Sequence, residues 1–219
     1  DDDTGQDVQT ATAAVIGAGI NNGVLQIVGS DAANTVTVNK VGGGWFKVHA
    51  DFFPEASFRL FDASQISYIQ MWLCNGDDQA SIAGNIDTPA TVYGGGGNDH
   101  INGGGGRSIL IGGPGADRLV GGSGDDILIA GTTAYDRNDA ALLALLQEWN
   151  SGDDYPTRVT KLRTGILLAD GTVVKLEKGT TVLDDEDQDQ LTGSSGLDWF
   201  FFDTSLDKAK DMKGSEAGN

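Results

Sequence analysis

The strongest indication of the fold is the stretch GGPGADRLVGGSGDDILIAG, which runs from Gly112 to Gly131. Its glycine pairs recur nine residues apart, and each pair is followed by an aspartate and, two positions later, by a large apolar residue. Glycine permits the positive φ angles of tight turns and the close approach of one backbone to another. The pattern therefore predicts glycine-rich turns that end in a carboxylate and lead into very short strands.

Four consecutive nonapeptides share this pattern without a gap. They have the form G-G-x-G-x-D-x-U-x, in which U is large and apolar, and they cover 94–102, 103–111, 112–120 and 121–129. The x-U-x triplet is a minimal strand whose central side chain points to one face. The four side chains expected in a common interior are Ile101, Leu110, Leu119 and Leu128.

The aspartates suggest what stabilises such small units. One nonapeptide buries a single large side chain, while ordering its residues costs about 1–2 kcal/mol each. If turns two units apart stack on the same side of the structure, their carboxylates and carbonyls form an oxygen cage suited to calcium. The sequence therefore predicts calcium-binding turns.

Over 94–129 the sequence resembles the repeats-in-toxin (hemolysin-type) calcium-binding nonapeptide repeat proteins, and with the segment that follows it looks like the C-terminal region of a large bacterial surface or secreted protein. The resemblance implies a mainly β fold, a parallel β-roll or β-solenoid with calcium-binding turns. It places one Ca2+ between the turns of Asp99 and Asp117, and a second between those of Ser108 and Asp126. The candidate metal ligands are Gly94, Gly96, Asp99, Gly103, Gly105, Ser108, Gly112, Pro114, Asp117, Gly121, Ser123, Asp126, Thr133, Asp136, Asp78 and Asp198.

Two positions depart from the repeat. Ser108 stands where an aspartate is expected, so its cage loses a charged ligand and should bind calcium more weakly or not at all. After the last full unit, GTTAYD (131–136) keeps the spacing from glycine to aspartate. We therefore expect Asp136 to close a further site above Asp117.

Weaker copies of the turn lie on both sides. Asp78 ends one upstream turn, Asn34 occupies the aspartate position of another, and Asp198 ends an isolated copy near the C-terminus. We predict an N-terminal extension at 1–19, a β-solenoid at 20–136 that ends in the repeats, and an α+β cap with one isolated repeat at 137–219. A separate β-sandwich beside the repeats is the alternative for the upstream part.

The cap is predicted from a helical pattern. Four apolar residues recur at helical spacing within 138–150, with Asn138 or Asp139 as N-cap: Leu142, Leu145, Leu146 and Trp149. The outward residues of the second and fourth strands are all isoleucine, which would leave an exposed apolar patch. The helix is therefore expected to cover that face, followed by a shorter helix near YPTRVTKLR and a hairpin around ILLADGTVVKL.

Composition restricts the function. The 14 basic and 32 acidic side chains give a formal net charge of −18, which disfavours binding to nucleic acid or an anionic membrane. The single cysteine, Cys74, excludes an intramolecular disulfide, and no apolar run is long enough for a membrane span. Neither HExxH nor GxSxG occurs, so His49 and His100 belong to no zinc-protease motif and no catalytic residue is assigned.

These features predict a noncatalytic, calcium-dependent module of a secreted or cell-surface bacterial protein that folds when calcium binds outside the cell. Calcium is the expected cofactor, and a surface glycan or protein is a candidate partner. The alternative is a carbohydrate-binding or adhesion module, or an accessory domain of a polysaccharide-active enzyme, with Trp45, Trp72 and Tyr93 as a sugar platform. An enzyme with an unfamiliar set of residues is a third class.

Overall fold

The chain is mainly β with two α-helices, in a computed structural model that describes residues 16–54, 57–214 and 216–218. The first ten strands are β1 (Gly17–Asn21), β2 (Val24–Val28), β3 (Thr35–Val41), β4 (Trp45–Ala50), β5 (Phe58–Asp62), β6 (Tyr68–Trp72), β7 (Gln79–Ile82), β8 (Ala90–Tyr93), β9 (His100–Asn102) and β10 (Ile109–Ile111). The later strands are β11 (Arg118–Gly122), β12 (Ile127–Ile129), β13 (Thr132–Thr133), β14 (Ile166–Leu167), β15 (Val173–Val174), β16 (Val182–Leu183), β17 (Gln190–Ser194), β18 (Trp199–Phe201), β19 (Lys208–Ala209) and β20 (Ala217–Gly218). The helices are α1 (Asp139–Trp149) and α2 (Tyr155–Thr164). Most of the N-terminal extension predicted at 1–19 lies outside the described residues.

Two eight-stranded sheets form the body of the protein. Sheet 1 has the order β1-β2-β6-β8-β10-β12-β18-β20, and sheet 2 has the order β19-β17-β11-β9-β7-β3-β4-β5. Both sheets are mixed: β1 and β2 pair antiparallel in sheet 1, β3, β4 and β5 do so in sheet 2, and the other neighbours in both sheets pair parallel. Two smaller antiparallel pairs, β13 with β16 and β14 with β15, lie outside them.

Successive repeats alternate between the two sheets. As a result, each nonapeptide pairs with the one two units away: Ile101 stands opposite Leu119 in sheet 2, and Leu110 opposite Leu128 in sheet 1. All four side chains are fully buried in one core between the sheets. The predicted stacking of alternate units is therefore confirmed.

The upstream strands belong to the same two sheets. β2, β6 and β8 run parallel into β10, and β3, β7 and β9 run parallel into β11. Their apolar side chains, such as Leu25, Val36 and Ile69, lie in the same core as those of the repeats. This continuity favours one continuous arrangement over a separate β-sandwich.

The helices cover the outer face of sheet 1. Asn138 caps α1 through its side chain, which accepts the N–H of Ala141 at 3.0 Å, and Asp154 caps α2. The outward isoleucines of β10 and β12 are completely buried in a second core with the apolar residues of α1. The predicted cover of the isoleucine face is confirmed, as are the second helix and the β14–β15 hairpin.

The C-terminal part requires a correction. The residues 137–219 were expected to form a cap with one isolated repeat at the open end. Instead β17 pairs parallel with β11, and β18 pairs parallel with β12 with Phe200 opposite Leu128, so both sheets continue past the helices. The helical segment is therefore an insertion on the face of sheet 1, and the copy that ends in Asp198 is a regular unit of the structure. The local pattern did not reveal this because the insertion separates strands that are adjacent in space.

Candidate metal centre

Six-residue turns carry the chain from one sheet to the other. In the turns 94–99 and 112–117 the glycines at the second and fourth positions have positive φ: 109° at Gly95, 128° at Gly97, 106° at Gly113 and 129° at Gly115. L side chains rarely adopt such values, so these turns depend on glycine. Each turn ends at an aspartate, and the next strand begins at the residue after it.

The turns on one side of the structure are joined by a ladder of side chains. In each step the backbone N–H at the aspartate position donates to Oδ1 of the aspartate in the next turn, at 2.5–2.9 Å. We call this set the first ladder; its members are, in order, Asn34, Asp78, Asp99, Asp117, Asp189 and Asp207.

A second ladder lies on the opposite side. The N–H of Ser108 donates to Asp126 at 2.7 Å, and the N–H of Asp126 donates to Asp198 at 2.8 Å. The Ser108 hydroxyl lies 3.4 Å from the carbonyl oxygen of Gly103 and 3.2 Å from that of Gly106, so it hydrogen-bonds within its own turn. Serine therefore fits the position but brings no carboxylate.

The ladder hydrogen bonds use one oxygen of each carboxylate, and in six of the seven the other oxygen has no partner; the exception is Asp207, whose Oδ2 accepts the N–H of Asp203. Buried side-chain oxygens are almost always hydrogen-bonded, so such orphans are unusual. The six carboxylates whose Oδ2 is buried and unpartnered are Asp78, Asp99, Asp117, Asp126, Asp189 and Asp198. These positions require a cation or a proton to offset the cost of burial.

Glycine leaves the space that these orphan oxygens face. A Cβ on Gly94 would overlap both Asp99 Oδ2 and the carbonyl oxygen of Gly112 in the neighbouring turn. A Cβ on Gly112 would overlap Asp117 Oδ2 and the carbonyl oxygen of Ala130. A carboxylate and a carbonyl from adjacent turns therefore converge where each first glycine lacks a side chain.

Burial changes the proton affinity of the ladder. It raises the pKa of Asp99 to about 6, that of Asp78, Asp189 and Asp198 to about 7, and that of Asp117 to about 9. The pKa of Asp126 is also raised, again mainly by burial and further by its neighbours Asp198 and Asp125. Without a counter-ion these groups therefore keep a proton to a higher pH than an ordinary aspartate.

The arrangement fits a hard, oxygen-seeking cation better than a metal held by side chains alone. Among the described residues, no three His, Cys, Asp or Glu side chains converge on one point, so any cage must include main-chain carbonyls. The carbonyls of Pro114 and Gly96 accept hydrogen bonds from Gly97 and Gly76 of adjacent turns, at 2.9 and 2.7 Å. Calcium accepts such mixed carboxylate and carbonyl sets.

The structure brings most predicted aspartates together. Asp99 and Asp117 are neighbours in the first ladder, and Asp126 and Asp198 are neighbours in the second, while Asp78 continues the first ladder upstream. The other candidate ligands are the first and third positions of the four turns, and their role as ligands stays a prediction: Gly94, Gly96, Gly103, Gly105, Gly112, Pro114, Gly121 and Ser123.

The position predicted for Asp136 is wrong. The neighbour of Asp117 in the ladder is Asp189, whereas the Asp136 carboxylate accepts the backbone N–H of Thr133 at 2.9 Å and also its hydroxyl. A local turn therefore satisfies the glycine-to-aspartate spacing of 131–136. The places of Asp189 and Asp207 in the first ladder were not predicted, because their turns lack the glycine pair. The sequence signals are the acidic cluster 183–191 around Asp189 and an apolar residue two positions after each aspartate.

A second group of contacts fastens the insertion to the repeats. Arg158 on α2 is buried, forms an ion pair with Asp125, donates to the Trp149 carbonyl at 2.9 Å and stacks on the Trp149 ring. Asp125 also accepts the N–H of Leu197 at 2.8 Å. Although burial opposes ionisation, the hydrogen bonds from Leu197 and Arg158 lower the Asp125 pKa. We call Arg158, Asp125 and Trp149 the clip.

The residues considered for catalysis are dispersed. His49 and His100 lie on the outer face of sheet 2, and His49 Nδ1 is 2.9 Å from the carbonyl oxygen of Ser57. Cys74 is half-buried at a turn, and burial raises the pKa of its thiol. Trp72 and Tyr93 stand side by side in sheet 1, but Trp45 lies in sheet 2, so the three aromatic residues form no common platform.

Comparison with known proteins agrees with the geometry of the turns. Residues 93–128 match the family model of the RTX calcium-binding nonapeptide repeat, in four copies, so this segment is an RTX calcium-binding repeat. No curated protein matches the chain significantly, and no solved structure does so either. Within the described residues, no helix is long and apolar enough to cross a membrane.

Proposed function

We propose that the protein is a noncatalytic, calcium-dependent module of a secreted or cell-surface bacterial protein, and that its two sheets form a parallel β-roll that folds when calcium binds. The observation that carries the proposal is the set of six buried carboxylate oxygens without a partner. They line turns of the calcium-binding repeat and continue beyond it on both sides.

The proposed mechanism is linkage between folding and metal binding. In the unfolded chain the aspartates are hydrated, whereas in the folded chain they are buried and close to one another. A site with a dissociation constant of about 0.1 mM would contribute roughly 2.7 kcal/mol at about 10 mM calcium. Two or three sites would then match the stability of a typical domain, about 5–15 kcal/mol. Folding is thereby confined to the compartment where calcium is abundant.

The first experiment is far-ultraviolet circular dichroism with thermal denaturation, after chelation and during titration with calcium to about 10 mM. Magnesium is the control, because it demands a stricter octahedral geometry and dehydrates reluctantly. We expect a calcium-specific gain of β signal and a large rise in the melting temperature. A chelated protein that is already folded and equally stable would contradict the proposal.

A second candidate function, carbohydrate binding, is favoured by the outer face of sheet 2. The outward positions of β3, β7, β9, β11, β17 and β19 include no acidic residue among those described, although the chain carries 32. One row across this face contains His100, Arg118 and Lys208. Burial and Arg118 lower the pKa of His100, so Arg118 and Lys208 are the cations of this row. Two cations in a row without carboxylates suit an extended anionic glycan.

This candidate is tested by titrating the calcium-loaded protein with an oligouronate and with a neutral oligosaccharide of equal length. We expect the oligouronate alone to bind, and Arg118→Gln to weaken it at least about tenfold. Lys40→Gln is the control, since Lys40 lies on β3 but has the opposite orientation in the strand. Equal weakening by both variants would indicate nonspecific attraction, and no binding would exclude this function for anionic glycans.

A further inference from the structure

The turn that follows Asp117 in the first ladder is built from two segments of the chain. Ala130 and Gly131 follow β12 in the chain, and their carbonyl oxygens accept the N–H of Gly113 at 3.3 and 3.1 Å. They therefore occupy the positions of the first two residues of a turn. The residues 132–183 then form the insertion with both helices. The chain returns at 184–189 and enters β17, where Leu191 stands opposite Leu119.

The two segments are in direct contact. A Cβ on Gly131 would overlap the carbonyl oxygen of Leu183 and approach the backbone nitrogen of Asp185. Asp185 reaches back to the preceding turn, where it accepts the N–H of Gly115 at 2.8 Å. We call Ala130, Gly131 and 184–189 the split turn, since together they stand where a nonapeptide supplies one continuous turn.

The split turn also repeats the oxygen arrangement of the continuous turns. Asp189 is fully buried, its Oδ1 accepts the N–H of Asp117 at 2.6 Å, and its Oδ2 has no partner. Asp117 Oδ2 is likewise orphaned and faces the Ala130 carbonyl across Gly112. Asp184, Asp185 and Asp207 add negative charge around Asp189.

We propose that the split turn and the turn 112–117 form a further calcium site, with the carboxylates of Asp117 and Asp189 and the carbonyl of Ala130 as ligands. This site rests on the proposed calcium-dependent function; Asp117 lies within the segment that matches the repeat family, whereas Ala130 and Asp189 lie outside it. Its ligands come from both ends of the insertion. Calcium there holds the two ends together and so orders the helices as well as the sheets.

The test uses the full chain and the variant Asp189→Asn, which keeps the side-chain volume and an acceptor oxygen but removes the charge. Calcium stoichiometry is measured by calorimetry, and hydrogen exchange is followed with and without calcium. We expect the variant to bind one ion fewer. In the variant, calcium should slow the amide exchange of 139–164 less than it does in the wild type. It should still slow the exchange of β9 and β10. Asp170→Asn, an exposed change in the insertion, should behave as the wild type.

The outcomes separate this proposal from the general function. If Asp189→Asn binds as many ions as the wild type, or calcium protects its helices as fully as in the wild type, the split-turn site is wrong and the calcium-dependent function survives. If the wild type binds no calcium, both fail. If Asp189→Asn does not fold, hydrogen exchange in the wild type tests the proposal instead. Residues 184–189 and 139–164 must then gain protection from exchange at the same calcium concentration. Separate midpoints for the two segments would overturn the proposal.

Discussion

The backbone N–H of Asp117 donates to a carboxylate oxygen of Asp189, 72 residues later in the chain, at 2.6 Å. Through the same kind of bond the Asp117 carboxylate accepts the N–H of Asp99 at 2.7 Å. Asp117 therefore lies between two neighbouring turns, and its second oxygen has no partner and faces the Ala130 carbonyl across Gly112. Changes at this residue should affect more than one site.

Asp117→Asn should separate the structural role of the side chain from its charge. The amide oxygen can still accept the Asp99 N–H, and Asn34 already occupies such a position in the ladder. In chelator, we expect the variant to have a melting temperature equal to or above that of the wild type. In calcium, we expect it to lose most of the rise in melting temperature that the wild type shows. Asp117→Ala should be less stable by about 1–3 kcal/mol in chelator because it leaves a buried N–H unpaired. Denaturation of both variants with and without calcium checks this, and a full calcium gain in Asp117→Asn would contradict it.

The calcium-free protein should lose stability as the pH rises. Burial raises the pKa of Asp99 to about 6 and that of Asp117 to about 9, above the value near 3.9 of an unfolded aspartate. The folded state thus binds more protons than the unfolded state above about pH 4, so its stability falls as the pH rises through these values. We expect the melting temperature in chelator to fall between about pH 4 and pH 9, and the calcium-induced gain to grow. Asp117→Asn should flatten this dependence, and a chelated wild type most stable at high pH would refute it.

The clip should control the attachment of the insertion. Arg158→Met removes the partner of the partly buried Asp125 carboxylate and should cost about 3 kcal/mol, with a change in Trp149 fluorescence. Lys161→Met is the matched control on the same helix, since Lys161 is exposed in its ion pairs with Glu148 and Asp153 and its loss should destabilise the protein far less. Urea denaturation of both variants in calcium measures the difference. Equal costs would show that the clip contributes no more than a surface ion pair.

The cavity at the first glycine of the repeat should not tolerate a methyl group. Gly112→Ala places a Cβ against Asp117 Oδ2 and the Ala130 carbonyl, without forcing a change of backbone region. We expect a loss of about 1–3 kcal/mol and a calcium affinity at least about tenfold lower. Gly84→Ala is the control, because nothing lies within 4 Å of its added Cβ. Calcium titration of each variant measures the affinity. An unchanged calcium affinity in Gly112→Ala would show that the ion does not bind at this position.

The local parts of this architecture could be predicted from the sequence, and the non-local parts could not. The nonapeptides specify their own turns and strands, and the resemblance to the repeat family implied that Asp99 and Asp117 are neighbours, as the structure shows. The position of α1 was predicted because its apolar face and the isoleucines of β10 and β12 would each be exposed without the other. These features depend on interactions within a few residues or between consecutive units.

Asp189 and Arg158 show why the rest was missed. The partner of Asp117 follows from the pairing of Leu191 with Leu119, two residues that the insertion separates widely in the sequence, so no short-range spacing predicts it. GTTAYD had the expected spacing, but the carboxylate of Asp136 accepts the N–H of Thr133 within the same turn and does not join the ladder. Arg158 gave no signal because its partner Asp125 is a variable position of the repeat.

Ser108 provides the last prediction, a gain of binding. It is fully buried at the aspartate position of the second ladder, next to Asp126, and brings no charge. Ser108→Asp should therefore add one calcium ion to the stoichiometry measured by calorimetry. In chelator the same variant should be less stable, since it buries a second carboxylate near Asp126, and the melting temperature should fall by roughly 2–4 °C for each kcal/mol lost. Ser108→Asn, of similar size but uncharged, should show neither effect. If Ser108→Asp binds no more ions than the wild type, the second ladder does not build its cages from paired carboxylates.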